Sequence, residues 1–448
     1  MDIRLPAGVF VTLIVIAGQG CASSKANARF DLLTMETRQE LSANRLTGGE
    51  GINKADRFDG AESLKLGDTI SAAVENNPSL AAIRHKVKEA MERYPRATAL
   101  DDPMMGVGFF PATVGASDAD FSYKIDLSQR IPYPGKLELK GNEALAEAEA
   151  ALNDFGSAKL KLVYMVKTAY LELCFVHRAI EINEEDIKLL RDLKTIAETR
   201  YGAGETNLQD AVQADVSLAR AEHRGIVLER TLKIATARLN TLMGREAGRY
   251  LPPPDGLPAP APLSDKETLL QKAIESNPAI KSARSKIEAA EVSTKLAGAQ
   301  SYPDFTITGS YNRAWMTDEL RPFIGVTLNI PLRSDRLSAE RSAAAARLDR
   351  AGAELAAEED RVRLQIEEAW QRLKEARHAV KLFRDVLLPE ADLSLKTAQT
   401  GYAAGKNDFL TLITAGRTLI DTKLQYERVM VDMRVAEAEL VRLAGEAP

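Results

Sequence analysis

Val74-Glu75-Asn76-Asn77-Pro78-Ser79-Leu80 returns as Ile274-Glu275-Ser276-Asn277-Pro278-Ala279-Ile280, the Asn-Pro pair displaced by 200 residues. Two further landmarks follow at nearly the same displacement. Ile131-Pro132 recurs as Ile330-Pro331, 199 residues on, and Tyr201-Gly202-Ala203-Gly204 recurs as Tyr402-Ala403-Ala404-Gly405, 201 residues on. Any one of these is a common local signal, but three in one order at one offset mark an internal duplication rather than a short-period solenoid. The 448 residues divide accordingly: a signal peptide over 1–20, an extended arm over 21–62, repeat 1 over 63–250, a connector over 251–262 and repeat 2 over 263–448.

Each repeat changes period after its first helix. Met105, Val107 and Phe109 alternate with Gly106 and Gly108, and Phe121, Tyr123, Ile125 and Leu127 alternate with Ser122, Lys124 and Asp126. In repeat 2, Phe305, Ile307 and Tyr311 alternate with Thr306, Thr308 and Ser310, and Ile324, Val326, Leu328 and Ile330 alternate with Gly325, Thr327 and Asn329. Period-2 alternation predicts two strands per repeat, four in all. Segments of about ten residues are long enough to cross a bilayer as tilted strands, and Phe109, Phe110, Tyr311, Trp315 and Phe323 gather near their ends, as an interfacial girdle requires. A small soluble sheet has the same pattern. If the strands do span a membrane, four cannot close a barrel, and open edges in lipid cost several kcal/mol per unpaired group. The chain must then oligomerise, and three copies supply twelve strands.

From Leu137 to Arg200 no proline interrupts a helical pattern, and the matching run from Leu337 to Thr400 has one break expected at Pro389. A helix of about 64 residues is about 95 Å long, which no compact domain of this size needs. Ile366, Leu373, Val380 and Leu387 recur every seven residues with Trp370, Ala376 and Phe383 between them, a heptad seam. Ala144 to Ala151 and Ala343 to Ala346 are rich in small residues that permit close helix approach. Gly202/Gly204 and Gly401/Gly405 end the two rods, and second long helices follow over Leu208 to Met243 and Phe409 to Leu443. Each repeat therefore ends in an antiparallel helical hairpin, with turns at Tyr201 to Asp210 and Tyr402 to Thr411 expected far from the strands. The fold class is α+β, mainly α: helix, two strands and a long helical hairpin, duplicated. Six prolines between Pro252 and Pro262 predict a stiff, extended connector.

Arg4, the apolar stretch Leu5 to Gly18 and the small residues before Cys21 make a secretory signal, too short for a stable membrane span. Gly18-Gln19-Gly20-Cys21 is similar to a bacterial lipoprotein cleavage box, with Gly18 where Leu is usual; it marks Cys21 for lipidation. The remaining cysteine, Cys174, lies in an apolar helical stretch and reads as a packed core residue. A net charge of −5, without patterning, gives no sign of a nucleic-acid partner. His85, His177, His223 and His378 lack ligand spacing, and Gly135-Lys136 lacks the preceding glycine of a phosphate loop, so neither metal, cofactor nor enzyme is expected. Met104 and Met105 are soft atoms at a strand start, where packing is the commoner role.

Taken together, the Asn-Pro openings, the strand pairs, the Tyr-x-x-Gly turns and Leu388-Pro389 resemble the TolC-like outer membrane efflux protein family over Leu64 to Gly445. That resemblance implies a homotrimer: a 12-stranded β-barrel in the bacterial outer membrane, in contact with its lipid and continuous with a periplasmic α-helical barrel. It also implies a periplasmic adaptor and an inner-membrane pump of the RND type as partners. The turns would dock the adaptor and hold the aperture, which makes Tyr201, Gly204, Asp210, Tyr402 and Gly405 the candidate site. Drug-efflux members carry aspartates around the aperture where Thr411 and Thr414 stand here, leaving Asp210 or Asp408 to supply any acidic constriction. Gln129-Arg130-Ile131-Pro132-Tyr133-Pro134-Gly135-Lys136 resembles the heavy-metal efflux branch. Two other readings remain at this stage. One is a periplasmic adaptor or coiled-coil scaffold, against which two hairpins and two strand pairs argue; the other is a type I protein-secretion exit channel.

Overall fold

Long proline-free runs of Ala, Leu, Glu, Lys and Arg fold here as long helices. The computed structural model describes residues 24–42, 58, 60–110, 122–260, 265–313 and 321–446. In chain order they form α1 (Ser24–Ser42), α2 (Leu66–Asn76), α3 (Pro78–Met91), α4 (Arg93–Thr98), β1 (Met104–Phe110), β2 (Ser122–Ile131), α5 (Lys136–Gly202), α6 (Leu208–Leu242), α7 (Lys266–Ser276) and α8 (Pro278–Ala299). Then follow β3 (Phe305–Asn312), β4 (Pro322–Leu328), α9 (Ser334–Leu382), a π-helical turn (Phe383–Leu387), α10 (Leu388–Ala403) and α11 (Phe409–Leu443). With 67 residues, α5 is about 100 Å long.

Residue contacts group the chain into two units. The first holds the described parts of Met1–Leu41, Arg84–Asp154 and Ala279–Glu358. It contains one antiparallel sheet in the order β1-β2-β3-β4, with Met105 opposite Leu127, Ile125 opposite Tyr311 and Ile307 opposite Val326. Sequence expectation and structure agree on all four strands. Phe121 and Trp315 lie outside the described residues, and Ile330 lies past the end of β4.

Where β2 passes into α5, a buried ionic clasp ties repeat 1 to repeat 2. Pro134 and Gly135 make the turn, Gly135 at φ +92° in the left-handed region that glycine tolerates best. The turn delivers Lys136 to the start of α5, where its Nζ donates to Asp304 Oδ1 and to Tyr302 O, both at 2.8 Å. Arg130 donates to Asp304 Oδ2 at 2.7 Å and the Tyr133 N–H to Oδ1 at 3.0 Å. Tyr133 stacks on Tyr302 at 4.6 Å between centroids. Burial pushes the Asp304 carboxyl up, but these donors outweigh it and hold it at about 2. The Pro-Gly-Lys stretch thus has a structural role of its own.

The arm departs from expectation. Ser24–Ser42 is helical rather than extended, because Ala26, Leu33 and Thr37 recur at helical spacing and are buried. Arg29 fastens it, donating to Glu149 at 2.7 Å and Glu288 at 2.6 Å, while Phe30 stacks on Tyr94 at 4.6 Å.

The second unit holds the described parts of Ser42–Ile83, Phe155–Pro278 and Glu359–Pro448. Here the duplicated Asn-Pro explains itself. Asn77 Nδ2 donates to Leu242 O and Asn277 Nδ2 to Leu443 O, each at 2.9 Å, so each asparagine holds the end of its repeat's last helix. Pro-rich residues 252–260 form no helix, and the connector is pinned: the Leu64 N–H donates to Pro253 O at 2.8 Å and the Asp255 N–H to Leu64 O at 3.1 Å.

Two expectations for the last rod are corrected. Pro389 does not break it. Pro389 has no N–H for the Asp385 carbonyl, and the chain absorbs this in the π turn, where the Leu388 N–H reaches back to Phe383 O. The heptad seam is also displaced: Val362, Ile366, Ala369, Leu373 and Ala376 are buried, Trp370 is half-buried, and Leu387 is exposed at the π turn. Alanine takes the position assigned to tryptophan.

Candidate docking and gating site at the hairpin turns

Both hairpins turn on one backbone device. In the first, the Gly204 N–H donates to Tyr201 O and the Glu205 N–H to Arg200 O, both at 2.9 Å; in the second, the Gly405 N–H donates to Tyr402 O at 3.0 Å and the Lys406 N–H to Gly401 O at 2.8 Å. With Gly204 at φ +76° and Gly405 at φ +69°, each is a Schellman cap with a left-handed glycine. The Tyr-x-x-Gly motif is therefore a capping signature.

The side chains of the two turns diverge. Tyr402 is 3% exposed and packs edge-on against Phe409 at 5.4 Å, among Leu395, Ala398, Leu412 and Ile413 from its own repeat and Leu193, Ala197 and Ala214 from repeat 1. Its hydroxyl donates to Asp210 Oδ2 at 3.3 Å. The Arg200 guanidinium lies 4.8 Å over its ring, donates to its carbonyl oxygen, and pairs with Glu205 at 3.2 Å. Burial and then the nearby Asp210 charge push the Tyr402 phenol up, so it remains a donor at neutral pH. Tyr402, Asp210 and Arg200 together latch one repeat to the other. Arg200 was not a sequence candidate, although its place directly before Tyr201 is the signal that would have found it.

Tyr201, the duplicate of Tyr402, is 46% exposed, and Leu208 is 54% exposed where Phe409 is 1%. Val212 and Val216 are exposed too, and steps of four put Leu208, Val212 and Val216 on one stripe of α6. Sequence reading missed this stripe, since buried and unburied apolar stripes have the same spacing.

Asp408 sits apart from the latch as the N-cap of α11. Its carboxylate accepts from the Thr411 N–H at 2.9 Å and from the Thr411 hydroxyl, and these bonds, the hydroxyl's first, lower its pKa. Thr414, exposed, donates its hydroxyl to Leu410 O at 2.7 Å. Both threonine hydroxyls thus donate within the helix and its cap. Cys21 lies outside the described residues. Among the described residues no group of His, Cys, Asp and Glu is placed to hold a metal ion, and no helix is long and apolar enough to cross a membrane. Met104 and Met105 are strand neighbours, so they point to opposite faces and do not pair as ligands.

The family model described as outer membrane efflux protein matches twice, over residues 69–245 and 269–446. The cobalt-zinc-cadmium resistance protein CzcC of Cupriavidus metallidurans is 22% identical over 387 residues, covering 86% of this chain and 91% of the relative. Nodulation protein T of Rhizobium leguminosarum bv. trifolii is 25% identical over 65% of each chain. Among solved structures, the outer membrane protein VceC of Vibrio cholerae superposes with a TM-score of 0.73 at 20% identity, over 85% of this chain and 96% of that one. The channel protein CusC gives 0.74 at 18% identity, over 90% of this chain and all of that one. Two matched copies of one family model, in the two halves that the sequence itself repeats, place the chain in the outer membrane efflux protein family.

Proposed function

We propose that this chain is the exit duct of a three-part efflux assembly. Three copies close a 12-stranded barrel in the outer membrane and continue as an α-helical barrel in the periplasm, and an RND-type inner-membrane pump delivers cargo through a periplasmic adaptor. One observation carries the reading: a single four-stranded antiparallel sheet whose edge strands, β1 and β4, pair with no other strand among the described residues. In lipid such edges are untenable, and closure by further copies removes them. Phe109, Phe323, Ile324 and Val326, exposed in the single chain, would be the lipid-side or lumen-side surface of that barrel.

The turns divide the remaining work. The exposed stripe of Tyr201, Leu208, Val212 and Val216 is suited to the helical hairpin of an adaptor, and the Tyr402–Asp210–Arg200 latch is suited to hold an aperture shut until that adaptor docks. Cys21, three residues before α1, is the proposed lipid anchor. Heavy-metal cations are the proposed cargo, on the strength of the relative named for cobalt, zinc and cadmium resistance. Purified protein in a planar bilayer should conduct ions, and a strain lacking it should become more sensitive to those three metals. A protein that forms no conducting species would overturn the duct; unchanged metal sensitivity would overturn the cargo.

A further inference from the structure

Between α5, α6 and α11, all within the second unit, lies a cavity of about 290 Å³ that neither the latch nor the exposed stripe uses. Buried Leu190, Leu193 and Ile413 give it an apolar lining. Five charged side chains complete it: Arg220 and Arg224 from α6, Arg417 and Asp421 from α11, and Asp186 from α5. Residues four apart share a helix face, so α6 and α11 each bring a pair of charges to one side.

One pair among the five is closed. Arg224 Nη1 donates to Asp186 Oδ2 at 3.2 Å, and Asp186 is only 6% exposed. Burial pushes the Asp186 carboxyl up against the pull of Arg224, and the charges of Asp421 and Arg417 also act on it, so α5 and α11 share one electrostatic field here. Arg220, Arg417 and Asp421 are exposed, and their side chains make no hydrogen bond or ion pair among the described residues. With Arg224 committed to Asp186, two guanidinium groups and one carboxylate are left, an excess of positive charge beside apolar side chains. Helix packing alone does not demand this set. At the 201-residue offset that relates Tyr201 to Tyr402, Asp186, Arg220 and Arg224 become Leu387, Asp421 and Gln425, so the duplicate positions supply neither a guanidinium nor a buried acid.

A guanidinium is a planar fork of donors that matches an oxyanion two bonds at a time, and a few charged groups set among apolar side chains are the usual make-up of a small-ligand cavity. We propose that this cavity binds a compact oxyanion of charge −2, such as inorganic phosphate, with Arg220 and Arg417 as its clamps. Two charges on the anion answer two guanidinium groups and outweigh the opposing carboxylate of Asp421; a monoanion answers only one. An anion held by both arginines ties α6 of repeat 1 to α11 of repeat 2, as the Tyr402–Asp210 bond ties the repeats at the turn. Binding stands on the cavity alone, whereas its effect on opening rests on the duct described under Proposed function. A ligand shifts such an equilibrium only as far as it prefers one state, and a clamp that spans two repeats prefers the state that keeps them together.

The test is hydrogen exchange of α6 and α11 in the detergent-extracted full chain, titrated with sodium phosphate, sulfate or acetate against sodium chloride at matched ionic strength. Phosphate and sulfate should give saturable protection at concentrations about tenfold below any effect of acetate. Arg220→Gln and Arg417→Gln should each raise the half-maximal phosphate concentration about tenfold, since each removes a charged hydrogen-bond donor. Asp421→Asn should lower it about threefold, since it removes the opposing charge. All three side chains are exposed, so the variants should keep the exchange rates of the unliganded protein. Protection that does not saturate, that acetate matches, or that the three variants leave unchanged overturns the site. In a planar bilayer, saturating phosphate should lower open probability about twofold or more, and Arg220→Gln should abolish the effect. Saturable binding with unchanged opening overturns the tie between repeats and leaves the duct standing. A protein that binds phosphate as expected but conducts no ions overturns the duct and leaves the site standing.

Discussion

The two hairpin turns began as one sequence and now differ in what they do with it. Both keep the Schellman cap, since Gly204 and Gly405 have the same left-handed backbone and the same pair of cap hydrogen bonds. Only the second keeps its aromatic ring inside. Tyr402 and Phe409 are buried, and Tyr402 is gripped by Asp210 and Arg200 of the first repeat, whereas Tyr201 and Leu208 are exposed. Backbone chemistry is retained where the turn must form, and side-chain burial has diverged so that one ring is packed and the other exposed.

The largest test of that division compares Phe409→Ala with Leu208→Ala. Truncating the buried ring should cost about 3–5 kcal/mol of local stability, and truncating the exposed leucine about 0.5 kcal/mol or less. Hydrogen exchange of the two turns in the assembled protein reads both, and equal effects would erase the distinction. Next in size, Val212→Asp should weaken binding of the cognate adaptor at least tenfold in a pull-down while leaving those exchange rates unchanged, because it charges an apolar stripe without entering the core.

The latch should give a smaller effect. Tyr402→Phe or Asp210→Ala removes one hydrogen bond worth about 0.5–1.5 kcal/mol, which converts to roughly a two- to tenfold rise in open probability if that bond biases the closed state. Charge reversal, Asp210→Lys, should change conductance and cation preference without unfolding the barrel. Unaltered single-channel records for all three variants would remove Asp210 from the aperture.

The smallest effect is acid sensitivity confined to the second turn. Asp408 has a lowered folded-state pKa, so its capping contribution is fully present above the unfolded carboxyl value, near 3.9, and is lost as pH falls through the lower folded value. Asn207, its duplicate, makes no side-chain cap bond. Exchange at the Thr411 amide should accelerate below pH 4 beyond the intrinsic trend, and Asp408→Asn should abolish that acceleration.

Much of the architecture was legible because it depends on local rules. Absence of proline gave the length of α5, alternation gave four strands, and Tyr-x-x-Gly gave the turns. What escaped depends either on partners distant in sequence or on local devices that a single-residue rule does not describe. Asn77 reads as a helix-start signal, but its bond to Leu242 O reaches 165 residues along the chain. Pro389 reads as a break because the rule for proline is local, whereas a π turn six residues earlier carries the helix through. The polar arm read as extended, and the helical spacing of Ala26, Leu33 and Thr37 was the overlooked signal. No pattern in Tyr201 and Tyr402 themselves distinguishes the exposed ring from the buried one; the difference lies in Arg200 and Asp210, which approach only one of them.

The most direct test of the channel reading is the mass of the protein extracted from outer membranes in detergent, by light scattering, together with its behaviour on unheated gels. The account predicts a detergent-bound, heat-resistant trimer. A monomer soluble without detergent would contradict it, because the four strands would then form an ordinary sheet with both edges in water.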